Sequence, residues 1–127
     1  MASAATQVNE RLDKTRQGAL WYTTATAVGG SATTMLDQID VSLYNRLSIQ
    51  IYNSDGSVVG VAKVWGSLKD DPGTKGGSDW TQLGDDISVG TSSNALKVLS
   101  TTPMRWLSIN ATGNGADLLV YVYAQQV

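Results

Sequence analysis

The sequence predicts an all-β protein, an antiparallel β-sandwich or jelly roll of about seven to eight strands. Three observations carry that expectation. The acids are ten Asp against a single Glu, Glu10; Asp favours turns and caps, whereas Glu favours helix interiors. Gly, Ser and Thr occur thirteen times each, 39 of 127 residues, a composition of strands joined by turns. Apolar residues then recur with period two between clusters of turn formers. A mostly helical enzyme is excluded, and the length suits one domain.

Residues 1–18 hold five of the twenty charged residues and few large apolar ones, and they end at Gly18. Val8 and Leu12 stand four apart with Ala5 a turn earlier, a marginal amphipathic pattern too short to be stable alone. The segment is expected to be an N-terminal arm, extended or a short helix, either disordered or ordered on a neighbouring subunit. Residues 19–127 are expected to form the sandwich. Residues 19–28 open with Leu20, Trp21 and Tyr22 and continue through threonines, a β-branched and aromatic run broken at Gly29-Gly30-Ser31. Residues 35–41 alternate weakly, with Met35, Asp37, Ile39 and Val41 on one parity. Leu47, Ile49 and Ile51 alternate with Ser48, Gln50 and Tyr52, a half-buried strand. Asn53-Ser54-Asp55-Gly56 reads as a tight turn into residues 58–65, with Val59, Val61 and Trp65 sharing a face, so a β-hairpin is expected.

Residues 66–79 form a long polar loop, followed by Trp80-Thr81-Gln82-Leu83, Asp85-Asp86 and a short strand at 87–89. Another short strand is expected at 95–99. Pro103 precedes a strand over 104–111, and Gly113-Asn114-Gly115 turns the chain into the last strand, 118–124. At least six Asp (Asp55, Asp70, Asp71, Asp79, Asp85 and Asp86) fall in these turns and loops. No internal repeat is evident.

The sequence contains neither Cys nor His, which excludes disulfides, thiolate or imidazole metal ligands, and Ser-His or Cys-His nucleophiles. Nine Lys and Arg against eleven Asp and Glu give a net charge of −2, and the basic residues are scattered, so nucleic-acid binding is not expected. No stretch approaches the roughly 18 apolar residues of a membrane span. The N-terminus has no basic and apolar leader pattern, so the chain is expected to act without export. Zero cysteine suits a reducing compartment or an assembly without stray disulfides.

Paired acids are the remaining catalytic possibility. Asp70-Asp71 and Asp85-Asp86 read as solvated turn residues, with Ca²⁺ ligation or acid–base work as rarer readings, since no spaced acidic Ca²⁺ loop is present. Gly113-x-Gly115 has no following helix and is a turn; Asn110-Ala111-Thr112 matches a glycosylation sequon by chance. Trp65, Trp80 and Trp106 each lie near a loop and read as core anchors first, then as an oligomer interface or a glycan platform. The last strand places Leu118, Val120, Val122 and Ala124 on one face and Leu119, Tyr121 and Tyr123 on the other. A sheet with one solvated face would be polar on the second parity. Its outer side is therefore expected to be covered, by a local loop or the arm, or by another subunit.

The second half resembles the small virion structural proteins of tailed bacteriophages. Val64-Trp65-Gly66-Ser67, the acidic loop, Asp79-Trp80-Thr81-Gln82-Leu83, Pro103-Met104-Arg105-Trp106-Leu107-Ser108-Ile109 and Leu118-Leu119-Val120-Tyr121-Val122-Tyr123 follow that layout over about residues 45–125. The likeness extends more loosely to discoidin-like binding modules. It implies a catalysis-free sandwich that decorates or cements a capsid, often as a trimer, or that builds tail or fibre parts. The expected function is thus a non-enzymatic capsid decoration protein on the virion surface, made in the host cytoplasm. Its partners would be the major capsid protein or other virion proteins and copies of itself, with no cofactor, metal, nucleic acid or membrane. Val8, Leu12, Leu119, Tyr121 and Tyr123 are the expected contact residues. A tail or fibre component and a carbohydrate-binding β-sandwich module are the alternatives.

Overall fold

A computed structural model describes residues 6–10, 18–23, 26–73, 77–100 and 104–126. Among them are eleven strands: β1 (Thr6–Glu10), β2 (Gly18–Tyr22), β3 (Thr26–Ala27), β4 (Thr33–Asp40), β5 (Arg46–Asn53), β6 (Gly60–Ser67), β7 (Thr81–Gln82), β8 (Ile87–Val89), β9 (Ser93–Ser100), β10 (Trp106–Thr112) and β11 (Asp117–Gln125). One sheet, here sheet A, runs β1-β2-β11-β5-β9, with β3 also on β11; sheet B runs β4-β10-β6-β7, with β8 also on β6. All pairings are antiparallel. The fold is the expected all-β sandwich. Its chain repeatedly crosses between the sheets, as in a jelly roll: β4 in B, β5 in A, β6 in B, β9 in A, β10 in B and β11 in A. The strands outnumber the expected seven to eight because β1 lies in the expected arm and because β3 and β7 have two residues each, too few for a periodic signal.

Strand β11 is central to sheet A, bonded to β2 and β3 on one edge and to β5 on the other. Its buried residues alternate with half-buried ones along all nine positions. Leu118, Val120, Val122 and Ala124 face inward with Leu47, Ile49 and Ile51 of β5, against Val64 of β6, Leu107 and Ile109 of β10, and Met35 and Leu36 of β4. This inner layer is where apolar burial drives the fold, at roughly 25 cal/mol per Å² removed from water.

The first predicted strand is two strands. Between the pairs Tyr22↔Tyr121 and Thr26↔Leu118 the register slips by one residue, a bulge on the β2–β3 side. Thr23 bridges it: its N–H donates to Val120 O (3.0 Å) and its hydroxyl accepts from Val120 N–H (3.1 Å). The weak alternation expected over 35–41 holds for Met35, Ile39 and Val41, which are buried, and fails at Leu36 and Asp37. Met35 and Leu36 are both buried and Asp37 is exposed, because the β4–β10 register shifts between Leu107 and Ile109. Of the expected arm, residues 6–10 are extended and pair with β2, Val8 opposite Leu20; Leu12 lies outside the described residues.

The expected hairpin over residues 47–65 is not formed. β5 lies in sheet A and β6 in sheet B, so the Asn53–Gly56 segment is an arch between layers. The Asp55 carboxylate organises it, accepting from the N–H groups of Ser57 (2.9 Å) and Val58 (2.7 Å). Asn53 is buried and donates to Val58 O (2.8 Å). Parity on β6 is accordingly the reverse of the hairpin reading. Gly60, Ala62 and Val64 face the core, while Val59 is exposed and Val61 and Trp65 are half-buried. Small residues are required inside because the opposite sheet approaches closely: a Cβ on Gly60 would lie 2.9 Å from Leu118 Cδ2.

Two expected outcomes follow from these turns. Gly113 has φ +151°, and a Cβ there would meet Val59 O at 2.9 Å and Gly60 Cα at 3.0 Å. Gly113→Ala is expected to cost about 2 kcal/mol in urea denaturation, whereas Gly30→Ala, with open space around it, changes stability by less than about 0.5 kcal/mol. The Ser57 and Val58 N–H bonds hold the Asp55 carboxyl below its ordinary 3.8. Because the folded value is the lower one, this stabilisation is complete above the unfolded value and is lost as pH falls through the folded one. Asp55→Asn is therefore expected to weaken the acid dependence of the denaturation midpoint below about pH 4; an unchanged acid limb refutes that role.

Candidate functional site: an aromatic sheet face

The two outer faces of the sandwich differ in chemistry. On sheet B the polar groups are mutually engaged. Lys63 Nζ pairs with Asp86 Oδ1 (3.0 Å), which also accepts from Gln82 Nε2 (2.7 Å). Gln82 and Lys63 together hold the Asp86 carboxyl below its ordinary value. Trp65 Nε1 donates to Asn110 Oδ1 (3.0 Å). At one end of this sheet Arg105 pairs with Asp70 (2.6 Å) and lies over the Trp106 ring, 5.0 Å from its centroid.

The long loop after β6 is tied down by similar bonds. Trp106 Nε1 donates to Lys69 O (3.0 Å) and Trp80 Nε1 to Gly73 O (3.1 Å). Asp79 accepts from Gly73 N–H (3.0 Å) and Lys69 Nζ (3.2 Å), and these two bonds hold its carboxyl below the usual range. Trp80 is buried, so it anchors the loop on the sandwich. Asp70 and Asp86 are each engaged by a separate basic residue, and no group of three or more acidic side chains able to hold a metal occurs among the described residues.

Sheet A presents a different surface. Cross-strand register aligns Tyr22, Tyr121, Gln50 and Leu96 in one row and Leu20, Tyr123, Ser48 and Val98 in the next. A third row holds Leu119, Tyr52 and Asn94. Tyr121 stacks on Tyr22 (centroids 5.9 Å apart, planes at 30°) and meets Tyr52 edge to face (5.9 Å, 82°). Such ring pairs contribute roughly 0.5–1.5 kcal/mol beyond area burial. A groove of about 310 Å³ runs between the rows, lined by Leu20, Ser48, Gln50, Tyr52, Leu96, Tyr121 and Tyr123. Leu96 is 62% exposed and Val98 54%. The Tyr123 hydroxyl is buried and has no hydrogen-bond partner among the described residues.

Of the residues singled out from the sequence, Leu119, Tyr121 and Tyr123 lie together on this face, half-buried. Val8 is on the adjoining edge strand β1, next to β2. Leu20, Tyr22, Tyr52, Leu96 and Val98 belong to the same surface and were not anticipated. Period-two alternation on β5 and β9 could have assigned Tyr52, Leu96 and Val98 to an outer face. That this is the same face as Tyr121 depends on which strands are neighbours.

No protein-family model and no curated protein matches the sequence. Solved structures do match it in shape. The SPBc2 prophage-derived protein YomS is 10% identical, covering 92% of this chain and 100% of its own, with a TM-score of 0.58. The K1 cleaved adhesin domain of Lys-gingipain from Porphyromonas gingivalis is 8% identical, covering 97% and 90%, with a TM-score of 0.55. A Bacillus endospore appendage protein, from a family of disulfide-linked pili, is 17% identical, covering 97% and 89%, with a TM-score of 0.53. What they share with this chain is the fold. Among the described residues, no helix is long and apolar enough to cross a membrane.

The geometry separates residues that support the fold from those that only present a surface. Tyr121→Ala removes both ring contacts and is expected to cost about 1–3 kcal/mol, with a loss of near-ultraviolet circular dichroism. Leu96→Ser with Val98→Thr is expected to change the unfolding free energy by less than about 0.5 kcal/mol. A larger loss would mean that these side chains serve the monomer's own core.

Proposed function

We propose that the chain is a non-enzymatic virion structural protein, a capsid decoration protein that binds the shell as an oligomer. One observation carries this reading: the outer face of sheet A is apolar and aromatic across adjacent strands, while that of sheet B carries its own ion pairs and amide bonds. Leu20, Tyr22, Leu119, Tyr121 and Tyr123 form a strip along β2 and β11, and Tyr is a favoured interface residue that combines a large contact area with a polar tip. The strip is the contact with a neighbouring copy, a trimer being the favoured assembly. Val8 and Leu12 are the shell contacts in this reading, Val8 lying on the β1 edge. The shared fold with a prophage-derived protein accords with a phage setting. With no cysteine in the sequence, such an assembly is non-covalent, and its strength comes from buried apolar area and many copies.

The test is sedimentation of the full chain, alone and with empty capsid shells. The wild type is expected to sediment as an oligomer and to pellet with shells. Leu119→Asp with Tyr123→Asp is expected to sediment as a monomer with unchanged far-ultraviolet circular dichroism. Removal of residues 1–17, which leaves β2 whole, is expected to lower shell affinity at least about tenfold. A wild-type monomer that leaves shells unlabelled overturns the proposal, and binding to purified tails in place of shells moves the protein to the tail.

A further inference from the structure

Beyond Tyr52 the sheet A face continues into a second hollow of about 350 Å³, lined by Tyr52, Asn53, Ser54, Ser92, Ser93 and Asn94. It and the groove of about 310 Å³ share the Tyr52 ring, and neither is lined by a charged side chain. Both are open depressions on the sheet face, accessible from solvent. At the rim, Ser92 has φ +45° in the turn that leads into β9. Its N–H donates to Asp55 O (2.9 Å), which holds it there.

The side chains where the hollows meet are arranged in a specific way. Gln50 Nε2 donates to Asn94 Oδ1 at 3.1 Å. Each amide carries both an acceptor oxygen and a donor nitrogen, so this bond leaves Gln50 Oε1 as a free acceptor and Asn94 Nδ2 as a free donor, with no partner for either among the described residues. The two stand beside the Tyr52 ring, since Asn94 is directly opposite Tyr52 and Gln50 is two residues along the same strand. Tyr52 is 38% exposed, and its ring is held by the edge contact with Tyr121.

A flat ring beside a donor and an acceptor, with Ser92 and Ser93 nearby and no cation in the lining, matches one ligand chemistry. The C–H face of a pyranose covers an aromatic ring while neighbouring hydroxyls accept from one amide and donate to the other. An anionic ligand would find no cation among the lining residues and would meet the carboxylate of Asp117, which accepts from Ser54 Oγ at 3.0 Å. We propose that Tyr52, Gln50 and Asn94 form a binding site for a neutral saccharide: Tyr52 is the stacking platform and the paired amides grip adjacent hydroxyls. The site is on the β5–β9 side of the face, beside the β2–β11 strip, and the inference stands independently of the capsid reading.

The experiment is titration calorimetry of the full chain with maltohexaose, mannohexaose, xylohexaose and N-acetylchitohexaose, with polygalacturonate as the charged control. At least one neutral probe is expected to bind with a Kd below about 1 mM. Tyr52→Ala is expected to weaken it at least about tenfold, and Asn94→Ala or Gln50→Ala about three- to tenfold each. Tyr52→Phe keeps the platform and should stay within about threefold of wild type, which separates stacking from any loss of fold. Oligomer mass and shell binding should be unchanged in all four variants. The proposal is overturned if no neutral probe binds at about 10 mM, or if the alanine variants bind as the wild type does. Preference for polygalacturonate also overturns it. So does a loss of self-association in Tyr52→Ala, which would make this patch an interface between copies.

Discussion

The architecture depends on the placement of β11 at the centre of sheet A with apolar side chains on both of its faces. Inward, Leu118, Val120, Val122 and Ala124 close the core against sheet B. Outward, Tyr121 joins rings from β2 and β5. A central strand can satisfy its backbone only through neighbours on both edges, and β11 obtains them from β2 and β3, near the start of the chain, and from β5. The sandwich is thus closed by pairing of residues about a hundred positions apart, and the same strand that completes the core organises the exposed aromatic surface.

The contrast between the outer faces follows from how each handles polar groups. On sheet B, charge and amide partners are found within the face, as with Lys63, Asp86 and Gln82. On sheet A, rings and aliphatic side chains dominate, and the amides of Gln50 and Asn94 satisfy each other only in part. A surface of this kind gains from being covered by something of matching shape. Turns and loops, meanwhile, are held by carboxylates that accept backbone N–H groups, as at Asp55 and Asp79. This gives the many Asp residues a structural task.

Legibility from the sequence varied with the kind of information each element needs. The parity of β5 was readable because Leu47, Ile49 and Ile51 alternate with Ser48, Gln50 and Tyr52, and that of β11 because Val120 and Val122 alternate with Tyr121 and Tyr123. Parity on β6 was not, because three of its four inward positions are the small Gly60, Ala62 and Gly66, with Val64 the exception, and the outward ones include Val61 and Trp65. Hydrophobicity alone points the wrong way when the opposing layer is close enough to exclude side chains. The bulges in β4 and between β2 and β3 were equally hidden, since each is a register shift against a partner strand. For the candidate site, Leu119, Tyr121 and Tyr123 were found through their departure from a polar outer face. Tyr52, Leu96, Gln50 and Asn94 became part of it only through strand adjacency.

The class of fold, the positions of most strands and turns, and the exclusion of thiol, imidazole and disulfide chemistry are written in the amino-acid sequence. These are local properties, set by composition, by alternation within a strand and by the turn preferences of Asp and Gly. Tertiary structure decided that Asn53–Gly56 is an arch between layers, and it decided which residues share a surface. An isolated stretch of chain cannot distinguish an arch from a hairpin, because the same turn chemistry serves both. The choice is made by burial of Leu47, Ile49 and Ile51 against the opposite sheet, a long-range gain that the local sequence does not encode.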